Sequence, residues 1–357
     1  MPAPAVDVLP LRVDVLIRGA GPVGCALALA LRPSGLRVAL ADAAVPPPAF
    51  RPIALSYASR LILERLGAWA DLSVTPIERI VVSQAGAFGR TRLDAADAGV
   101  PALGYVTDYS ALLGRLKAGL RDMPSSTAAE ARCIVHAEGA PQEVEGKRYA
   151  QDALVGLLHT EPPSAATAFE RFTAEGPLAL LPFGGRHAVI WSIRPERARE
   201  LVVADERHFL AELAAAAGSA AGRPMKVENR AVQALTLKVR RTRVAGNEVY
   251  IGNAAQTLHP VAGQGLNLGL RDAWDLARAL ADATEPGDPA TLARFAAQRR
   301  LDAGATIRVT DFLAGGFAGA NPLLRAARGV ALTALDIFPA PRRFFARRMI
   351  FGASALP

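Results

Sequence analysis

Cysteines and long apolar runs are scarce in this chain, and their scarcity narrows the kinds of protein it can be. The two cysteines, Cys25 and Cys133, lack the spacing of a metal site. Both are therefore expected to be buried free thiols in a reducing compartment. The longest apolar runs are too short to cross a bilayer, and residues 1–12 lack the basic start and apolar core of a signal peptide. These absences predict a cytoplasmic protein, or one held peripherally on the inner membrane.

Lysine is also rare: four of the 41 basic residues are lysine and the other 37 are arginine. With 33 acidic residues the formal net charge is +8, which suits nucleic acid, an anionic membrane surface or a phosphate-bearing cofactor. The first 320 residues contain no Lys/Arg-rich block, so nucleic acid is the weakest of the three. A hydrophobic content of 51% and a charged content of 21% indicate a folded globular protein of one large or two ordinary domains.

The first motif with chemical content is a glycine turn near the start of the chain. A strand signal at 13–17 leads directly into Gly19-Ala-Gly-Pro-Val-Gly24, a helix follows to Leu31, and a second strand ends at Asp42. This is a β-α-β unit with G-x-G-x-x-G at its first turn and an acid 18 residues after the last glycine. The unit predicts dinucleotide binding, but it does not choose between FAD and NAD.

The glycines and the acid of this unit each have a predicted role in binding a dinucleotide. Gly19 makes the turn, Gly21 lets the pyrophosphate approach the backbone, and Gly24 lets helix and strand pack. The pyrophosphate is expected at the N-terminus of the helix that follows the turn. Asp42 is expected to accept hydrogen bonds from the adenosine ribose.

A second glycine-rich stretch lies more than two hundred residues later, between a strand and a helix. The strand Val249-Tyr250-Ile251 breaks at Gly252-Asn253, the chain loops through His259-Pro260, and a helix starts at about Gly265. Gly263 and Gly265 allow the backbone to approach a flat ligand. The helix start favours negative charge, such as that of a reduced flavin. The structural alternative is a Gly/Pro loop before an ordinary core helix.

The helix after this loop is predicted to be amphipathic. Its apolar face consists of residues at helical spacing, namely Leu266, Leu270, Trp274, Ala277 and Ala281. The opposite face carries charges of alternating sign, namely Arg271, Asp275, Arg278 and Asp282. Ion pairs along that face are therefore expected.

The run from Gly252 to Asp272 resembles the second FAD motif of the flavin aromatic hydroxylases of ubiquinone biosynthesis, in particular the 2-polyprenyl-6-methoxyphenol hydroxylase type. Asn253 stands where the wider family has Asp, and by the resemblance its amide is expected to hydrogen-bond a ribityl hydroxyl. Arg51 matches the family's arginine beside the flavin and its phosphates, although alone it would be a solvated charge. The residues that the resemblance assigns to FAD are Gly19, Gly21, Pro22, Gly24, Asp42, Arg51, Gly252, Asn253, Pro260, Gly263, Gln264, Gly265, Leu266 and Asn267.

The resemblance covers nearly the whole chain and implies an α/β fold like that of p-hydroxybenzoate hydroxylase. In that fold a Rossmann-like FAD-binding domain is interleaved with a β-sheet substrate domain, and helices close the C-terminus. The expected segments are FAD-binding parts at 1–75, 108–148 and 241–314, substrate-domain parts at 76–107 and 149–240, and basic C-terminal helices at 315–357. Residues 167–183 again resemble the same hydroxylases and are expected to form the wall between flavin and substrate, or a sheet without ligand contact.

Local patterns add the remaining elements. The predicted helices are one after Arg51 that ends near Gly67, an N-capped one at 108–120, and others at 205–217, 289–314, 322–336 and 341–350. The predicted strands of the substrate domain are 153–159, 168–172, 178–182, 188–193 and 227–239, and further strands are expected within 78–93.

The middle of the chain departs from the family pattern. Relatives usually carry roughly a few dozen more residues after the helix ending at Leu120, before a motif resembling Ala-Asp-Gly-x-x-Ser-x-x-Arg. Here Glu138 replaces the Asp, and Gln142 and Glu145 stand where Ser and Arg are expected. In the family this motif helps to hold FAD and the transient nicotinamide nucleotide.

The C-terminal segment is basic. From Asn321 to Pro357 there are six arginines and one acid, Asp336, and aromatic residues alternate with arginines in 342–351. A basic, apolar terminal helix suits a membrane interface. It equally suits an ordinary helix whose basic face is docked on the core.

By resemblance the chain is a class A flavin monooxygenase. FAD, reduced by NAD(P)H as a transient co-substrate, would react with O2 to a flavin C4a-hydroperoxide that hydroxylates a polyprenylated phenol in ubiquinone biosynthesis. Expected partners are that phenol, O2, a membrane surface and other enzymes of the pathway, and no protein nucleophile is assigned. Two alternatives stay open: a hydroxylase of small soluble aromatics, and a non-catalytic flavin-binding scaffold.

Overall fold

The computed structural model describes residues 11–42, 50–125, 129–140, 144, 146–259, 263–316 and 322–352. Its helices are α1 (Pro22–Leu31), α2 (Tyr57–Arg65), α3 (Ala95–Ala98), α4 (Tyr109–Ala118), α5 (Pro195–Val203), α6 (Glu206–Ala217), α7 (Gln264–Ala281), α8 (Pro289–Gly316), α9 (Pro322–Ile337) and α10 (Pro339–Phe351). Its strands are β1 (Leu11–Arg18), β2 (Val38–Ala41), β3 (Pro52–Ser56), β4 (Thr75–Ile77), β5 (Arg79–Gln84), β6 (Arg90–Asp94), β7 (Gly104–Asp108), β8 (Ala129–His136), β9 (Lys147–Glu161), β10 (Thr167–Phe172), β11 (Pro177–Phe183), β12 (Arg186–Ile193), β13 (Arg223–Val239), β14 (Val244–Ala245), β15 (Glu248–Tyr250) and β16 (Gln256–Thr257).

The first sheet carries the early glycine turn. In it β1 lies between β2 and β8, and both pairs are parallel, with Val15 opposite Val38 on one side and Cys133 on the other. β15 joins β8 in parallel, and β14 completes the edge. Helix α1 connects β1 to β2 and packs against α4 and α7, so the β-α-β unit predicted from the glycine motif is confirmed.

Both cysteines lie in the core of this unit as free thiols. Burial raises the pKa of Cys25 and of Cys133 to about 12. Such thiols are packing residues with little thiolate character, as the sequence predicts.

The second sheet contains eight strands within the described residues, in the order β16, β13, β9, β12, β11, β10, β5, β6. Neighbours are antiparallel except β10 and β5, which run parallel. All five strands predicted for the substrate domain belong to this sheet. Helices α5 and α6 cover one face, where Phe209 and Leu213 share a buried cluster with Leu154 and Leu158. The other face borders a cavity.

A small third sheet of β3, β7 and β4 corrects one prediction. The residues directly after Arg51 were predicted to be helical, but Pro52–Ser56 is a strand that pairs antiparallel with β7. Helix α2 begins only after it, where the Ser56 hydroxyl accepts a hydrogen bond from the Ser59 N–H at 3.2 Å. Pro52 has no N–H to donate and so fits an edge strand, and the serine cap fixes the start of the helix.

The chain passes several times between the two large sheets. Residues 11–41, 129–136 and 244–250 build the first sheet, and residues 79–94 and 147–239 contribute most of the second. This alternation is the interleaved α/β architecture expected from the sequence. The domain boundaries at 75, 107, 148, 240 and 314 stay predictions.

The C-terminal helices α8, α9 and α10 lie close to the three positions predicted for them. α10 buries Ala346, Ile350 and Phe351 in a cluster with residues of α2 and α3, and Arg342 pairs with Asp97 at 3.0 Å. One face of the terminal helix is therefore docked on the core. Among the described helices, none has the length and apolar character needed to cross a membrane.

Candidate active site

The described residues enclose a cavity with a volume of about 1420 Å³. Its walls are the early glycine turn, helix α4, the start of α7, the free face of the second sheet, and parts of α9 and α10. Sites for single small molecules usually occupy roughly 300–1,000 Å³. This cavity therefore has room for a dinucleotide and a second ligand beside it.

The early glycine turn opens into this cavity at the start of α1. Gly21 caps the helix with an extended backbone, and Pro22 begins its first turn. A Cβ on Gly21 would first meet the Tyr109 hydroxyl, at 3.6 Å, whereas a Cβ on Gly24 would lie 1.9 Å from the Gly19 carbonyl oxygen. Gly24 is thus required by the turn itself, while Gly21 leaves the helix start open to a ligand.

Asp42, at the end of β2, borders the cavity beside residues of α4. Its carboxylate accepts a 2.8 Å hydrogen bond from Lys117 Nζ, which raises the pKa of the lysine. Arg51 also lines the cavity, with its guanidinium carbon 4.8 Å from the centre of the Tyr109 ring. Asp42, Lys117 and Arg51 together offer a carboxylate and two cations, a set that suits a ribose and a pyrophosphate.

The later glycine stretch reaches the same cavity at the start of α7. Gly263 caps the helix in the left-handed conformation, with φ of 59°, and Gln264, Gly265 and Leu266 line the cavity in its first turn. A Cβ on Gly265 would meet no described atom within 4 Å. Gly265 therefore places no side chain between the first turn of α7 and the cavity.

Asn267, one turn into α7, is occupied by other parts of the protein. Its side-chain oxygen accepts hydrogen bonds from the Ser56 N–H at 2.8 Å and the Ser59 hydroxyl at 2.7 Å. Its side-chain nitrogen donates to the carbonyls of Ala54 at 2.9 Å and Gly263 at 2.7 Å. Four partners saturate the amide, so Asn267 positions the glycine loop against β3 rather than offering its side chain to a ligand.

Gly252 and Asn253, the two predicted residues directly after β15 and Ile251, have different surroundings. Gly252, with φ of 58°, packs so tightly on α1 that a Cβ would lie 3.1 Å from the Val23 side chain, and its N–H donates to Asp272 at 3.1 Å. Asn253 lines the cavity. Pro260 lies outside the described residues. Gly252 therefore shapes the loop, and Asn253 is the residue of this pair that lines the cavity.

These features meet the requirements of FAD, whose pyrophosphate, ribose and flat ring each need a different surface. Two helix starts capped by glycine, α1 and α7, border one cavity although they lie more than two hundred residues apart. Helix starts suit the pyrophosphate and an anionic ring edge. The carboxylate of Asp42 suits the ribose.

Comparison with known proteins agrees with this geometry. Residues 132–310 match the FAD binding domain family. The chain is 32% identical to ubiquinone hydroxylase UbiL of Rhodospirillum rubrum, over 94% of this chain and 88% of that protein. This chain belongs to the FAD-dependent ubiquinone hydroxylase family.

The hydroxylase is also 27% identical to 3-demethoxyubiquinol 3-hydroxylase of Escherichia coli, over 90% of this chain and 94% of that protein. Its structure resembles p-nitrophenol 4-monooxygenase PnpA from Pseudomonas putida, with a TM-score of 0.79 at 15% identity over 97% of this chain and 100% of that one. The predicted fold is therefore confirmed. The protein is a flavin-dependent aromatic monooxygenase with FAD as cofactor, and NAD(P)H is the usual co-substrate of the family.

In the hydroxylase, the altered third motif lies against the first glycine turn. A Cβ on Gly19 would lie 2.6 Å from the Glu138 backbone nitrogen, so only glycine permits this approach. The Glu138 carboxylate lines the cavity and hydrogen-bonds His136 Nδ1 at 2.9 Å, while His136 Nε2 bonds Glu248 at 3.1 Å. A carboxylate is thus retained at the turn. Gln142 and Glu145 lie outside the described residues.

A buried ion network fixes the later loop. The Asp272 carboxylate, fully buried on α7, accepts hydrogen bonds from the Gly252 N–H, from Gln256 at 3.0 Å, from Arg243 at 3.1 Å and from Arg299 at 2.7 Å. Burial alone would raise the pKa of Asp272, but the two arginines outweigh it and lower the pKa below its usual value. The start of the loop is therefore anchored by an ionised, buried carboxylate.

This network corrects the expectation of ion pairs along one face of α7. Arg271 pairs with Asp302 of α8 at 2.9 Å, and Asp275 pairs with Arg299 of α8 at 2.8 Å. Arg299 also bonds Asp302 at 2.7 Å. Helix α8 covers the first part of the charged face, so Arg271 and Asp275 have their partners on another helix, which helical spacing alone does not reveal, while Arg278 and Asp282 are exposed.

His259, on the loop before α7, is fully buried and lines the cavity. Its ring makes an edge-on contact with Tyr149 at 4.8 Å between centroids. Burial lowers the pKa of His259 to about 4, so the imidazole is neutral at physiological pH. It therefore contributes shape and a neutral polar edge rather than charge.

The cavity residues that the sequence does not single out include Tyr109, Lys117 and Glu170. Tyr109 and Lys117 lie on α4 with Leu113 between them, and their spacing of four residues places all three on the face that lines the cavity. This four-residue spacing could be recognised in the sequence as one face of a helix. Glu170 is an acid within an otherwise apolar stretch of the expected flavin–substrate wall, and only the sheet register shows which way it faces.

Proposed function

We propose that this protein hydroxylates the aromatic ring of a polyprenylated phenol, of the 2-polyprenyl-6-methoxyphenol type, in ubiquinone biosynthesis. One observation carries the proposal: the cavity that receives both glycine turns continues along an apolar sheet wall to helices α9 and α10. The end with the glycine turns suits FAD, and the apolar end suits a phenol with a long hydrocarbon tail. The names of the relatives from Rhodospirillum rubrum and Escherichia coli support the same substrate class.

In this proposal the FAD pyrophosphate lies at the start of α1, beside the turn of Gly19, Gly21 and Pro22. Asp42 receives the adenosine ribose, Arg51 lies near the phosphates, and the first turn of α7 (263–266) meets the flavin ring with Asn253. Gly24, Gly252 and Asn267 shape these turns. Bound FAD would supply the redox chemistry, taking electrons from NAD(P)H and activating O2. The protein binds both molecules, orients the phenol and excludes water.

The purified protein, saturated with FAD, is expected to oxidise NAD(P)H faster when 2-farnesyl-6-methoxyphenol is added and to release a product one oxygen heavier. Small water-soluble phenols should stimulate it far less, because they leave the apolar wall unfilled. Product mass spectrometry and NAD(P)H absorbance measure both effects. In cells lacking the protein, a quinone precursor one hydroxyl short should accumulate.

Two results would contradict this assignment. Equal turnover of small phenols would make the protein a hydroxylase of soluble aromatics. Tight FAD binding with no reduction by NAD(P)H, with the farnesyl phenol present and oxygen absent, would make it a flavin-binding scaffold.

We further propose that the outward surface of α9 and α10 rests on an anionic membrane. This surface comprises Val330, Ile337, Phe338, Arg343 and Phe344, and its apolar members are 57–74% exposed. Helix α9 also lines the cavity with Leu324, Ala327, Ala331 and Leu335. One helix therefore joins an exposed apolar and basic surface to the cavity, which suits a substrate with a polyprenyl tail.

Vesicle binding tests this second proposal. Changing Val330 and Phe344 together to serine is expected to weaken binding to phosphatidylglycerol vesicles at least about tenfold, because each exposed side chain loses apolar contact. Co-sedimentation measures the effect. Leu301→Ser removes a comparably exposed leucine, 72% accessible on α8, and should change nothing. Equal loss in both variants, or salt-insensitive binding to neutral vesicles, would contradict a specific anionic docking surface.

A further inference from the structure

The free face of the second sheet presents one continuous row of side chains to the cavity. Residues paired directly across neighbouring strands point to the same side of a sheet. The row runs through β6, β5, β10, β11, β12 and β9 and consists of Thr91, Val82, Glu170, Ala179, Ile190 and Val155. All six line the cavity. Glu170 is thus a single carboxylate between Val82 and Ala179, in a wall that is otherwise almost wholly apolar.

Glu170 has no counter-ion to explain its place in this wall. Its carboxylate makes no hydrogen bond or ion pair with any residue that the structure describes. The side chain is partly accessible, and because it lies in the cavity wall its accessible part faces the cavity interior. Burial alone raises the pKa of the Glu170 carboxyl to about 7. An unpartnered carboxyl in an apolar wall is costly, so a ligand that satisfies it is indicated.

The other charged or titratable side chains around the cavity lie on different elements. Those at the first glycine turn and its neighbours are Asp42, Arg51, Tyr109, Lys117 and Glu138. Those contributed by the later loop, α8 and α9 are His259, Arg308 and Arg328. The strands that border Glu170 contribute no other charged residue to the described lining. Glu170 is therefore the acidic group of the apolar half, away from the end assigned to the dinucleotide.

We propose that Glu170 accepts a hydrogen bond from the phenol hydroxyl of the substrate, and so selects and orients phenols in the apolar half of the cavity. This inference rests on the proposed hydroxylase function. A carboxylate is a strong acceptor for an O–H group, and a bond made in an apolar site is worth more than one in water. Glu170 is thus a positioning and specificity residue. The proposal requires no covalent step from it.

The experiment compares 2-farnesyl-6-methoxyphenol with its methyl ether, which keeps the ring and the tail but carries O–CH3 in place of O–H. Wild-type holoenzyme should bind the phenol about ten- to a hundredfold more tightly than the ether, the range of a hydrogen bond to a charged group. Glu170→Leu should remove this preference by weakening phenol binding only. Glu170→Gln keeps a neutral acceptor and should retain part of it. The perturbation of flavin absorbance measures binding without turnover.

The pH dependence of substrate binding supplies a second test, because a residue with only a structural role would not change it. An acid with a pKa near 7 becomes ionised as pH rises through that value, so the KM of wild type for the phenol should fall between about pH 6 and 8. Glu170→Gln should lose this dependence while kcat changes little. Glu228→Gln, on β13 of the same sheet and outside the cavity lining, serves as the control and should behave like wild type.

The outcomes separate the two proposals. If wild type binds and hydroxylates the phenol but the Glu170 variants keep both the preference over the ether and the pH dependence, the role of Glu170 is wrong and the proposed function stands. If wild type binds neither compound, the proposed function itself fails. FAD content and thermal unfolding verify that each variant is folded, and Glu170→Gln with the pH profile suffices should Glu170→Leu not fold.

Discussion

Asp272→Asn is expected to lower the free energy of unfolding by about 3–5 kcal/mol, the cost of removing one partner from a buried ion pair. The carboxylate is fully buried and accepts hydrogen bonds from Arg243 and Arg299, which an amide cannot neutralise. Arg243 would lose its ion pair with Asp272, and Arg299 would keep only its pairs with Asp275 and Asp302. The amide would also have to turn an N–H₂ group towards at least one donor.

Asp272→Asn should also affect the FAD site. The Gly252 N–H and the Gln256 side chain both donate to Asp272, so the loop that begins at Gly252 loses its anchor. FAD affinity should fall along with stability. Urea denaturation of the apoprotein and flavin titration of the folded fraction measure the two effects separately.

Asp282→Asn provides the matched control, because Asp282 lies at the end of the same helix and is exposed. Its effect should stay within about 0.5 kcal/mol. A loss below about 1 kcal/mol in Asp272→Asn would show that the arginines find other partners, and the network would not be the anchor. Folding lowers the pKa of Asp272 below its usual value of 3.8. The stability that this carboxylate contributes is therefore fully present above pH 3.8, and it is lost as the pH falls through the lower pKa of the folded state.

Local features of the site could be predicted because neighbouring residues determine them. The β-α-β unit around Gly19–Gly24 is a contiguous pattern of strand, turn and helix, and the structure has it where the pattern indicates. The glycine loop before α7 is equally local. The starts of α1 and α7 can each be recognised in the sequence. That they share one ligand could be predicted only from the family resemblance.

The parts that sequence reasoning missed depend on partners far along the chain. Arg271 and Asp275 of α7 find their ion-pair partners on α8, and the Asn267 side chain, which looks available in the sequence, is occupied by Ser56 and Ser59. Residues after Arg51 have helical periodicity, but pairing with β7 makes them a strand. Glu170 faces the cavity only because of the register of β10 with its neighbours, and a shift by one residue would turn it to the other face.

Gly21→Leu is expected to abolish most FAD binding while leaving the fold intact. The backbone of Gly21 has φ of −74° and ψ of 178°, a conformation that leucine adopts without strain. Its Cβ would first meet the Tyr109 hydroxyl, at an ordinary contact distance of 3.6 Å. The rest of the side chain would extend into the cavity at the start of α1, where the pyrophosphate is proposed to lie. FAD affinity should fall at least about a hundredfold, or about 2.7 kcal/mol.

Gly114→Leu is the matched control, since Gly114 is an exposed position in α4 where an added Cβ meets no described atom within 4 Å. FAD fluorescence titration and thermal unfolding should show normal binding in that variant and a loss of binding without a loss of stability in Gly21→Leu. Gly24→Ala should instead destabilise the fold, because its Cβ would lie 1.9 Å from the Gly19 carbonyl oxygen. If Gly21→Leu bound FAD normally, the pyrophosphate could not lie at this helix start, and the shared cavity would need another explanation.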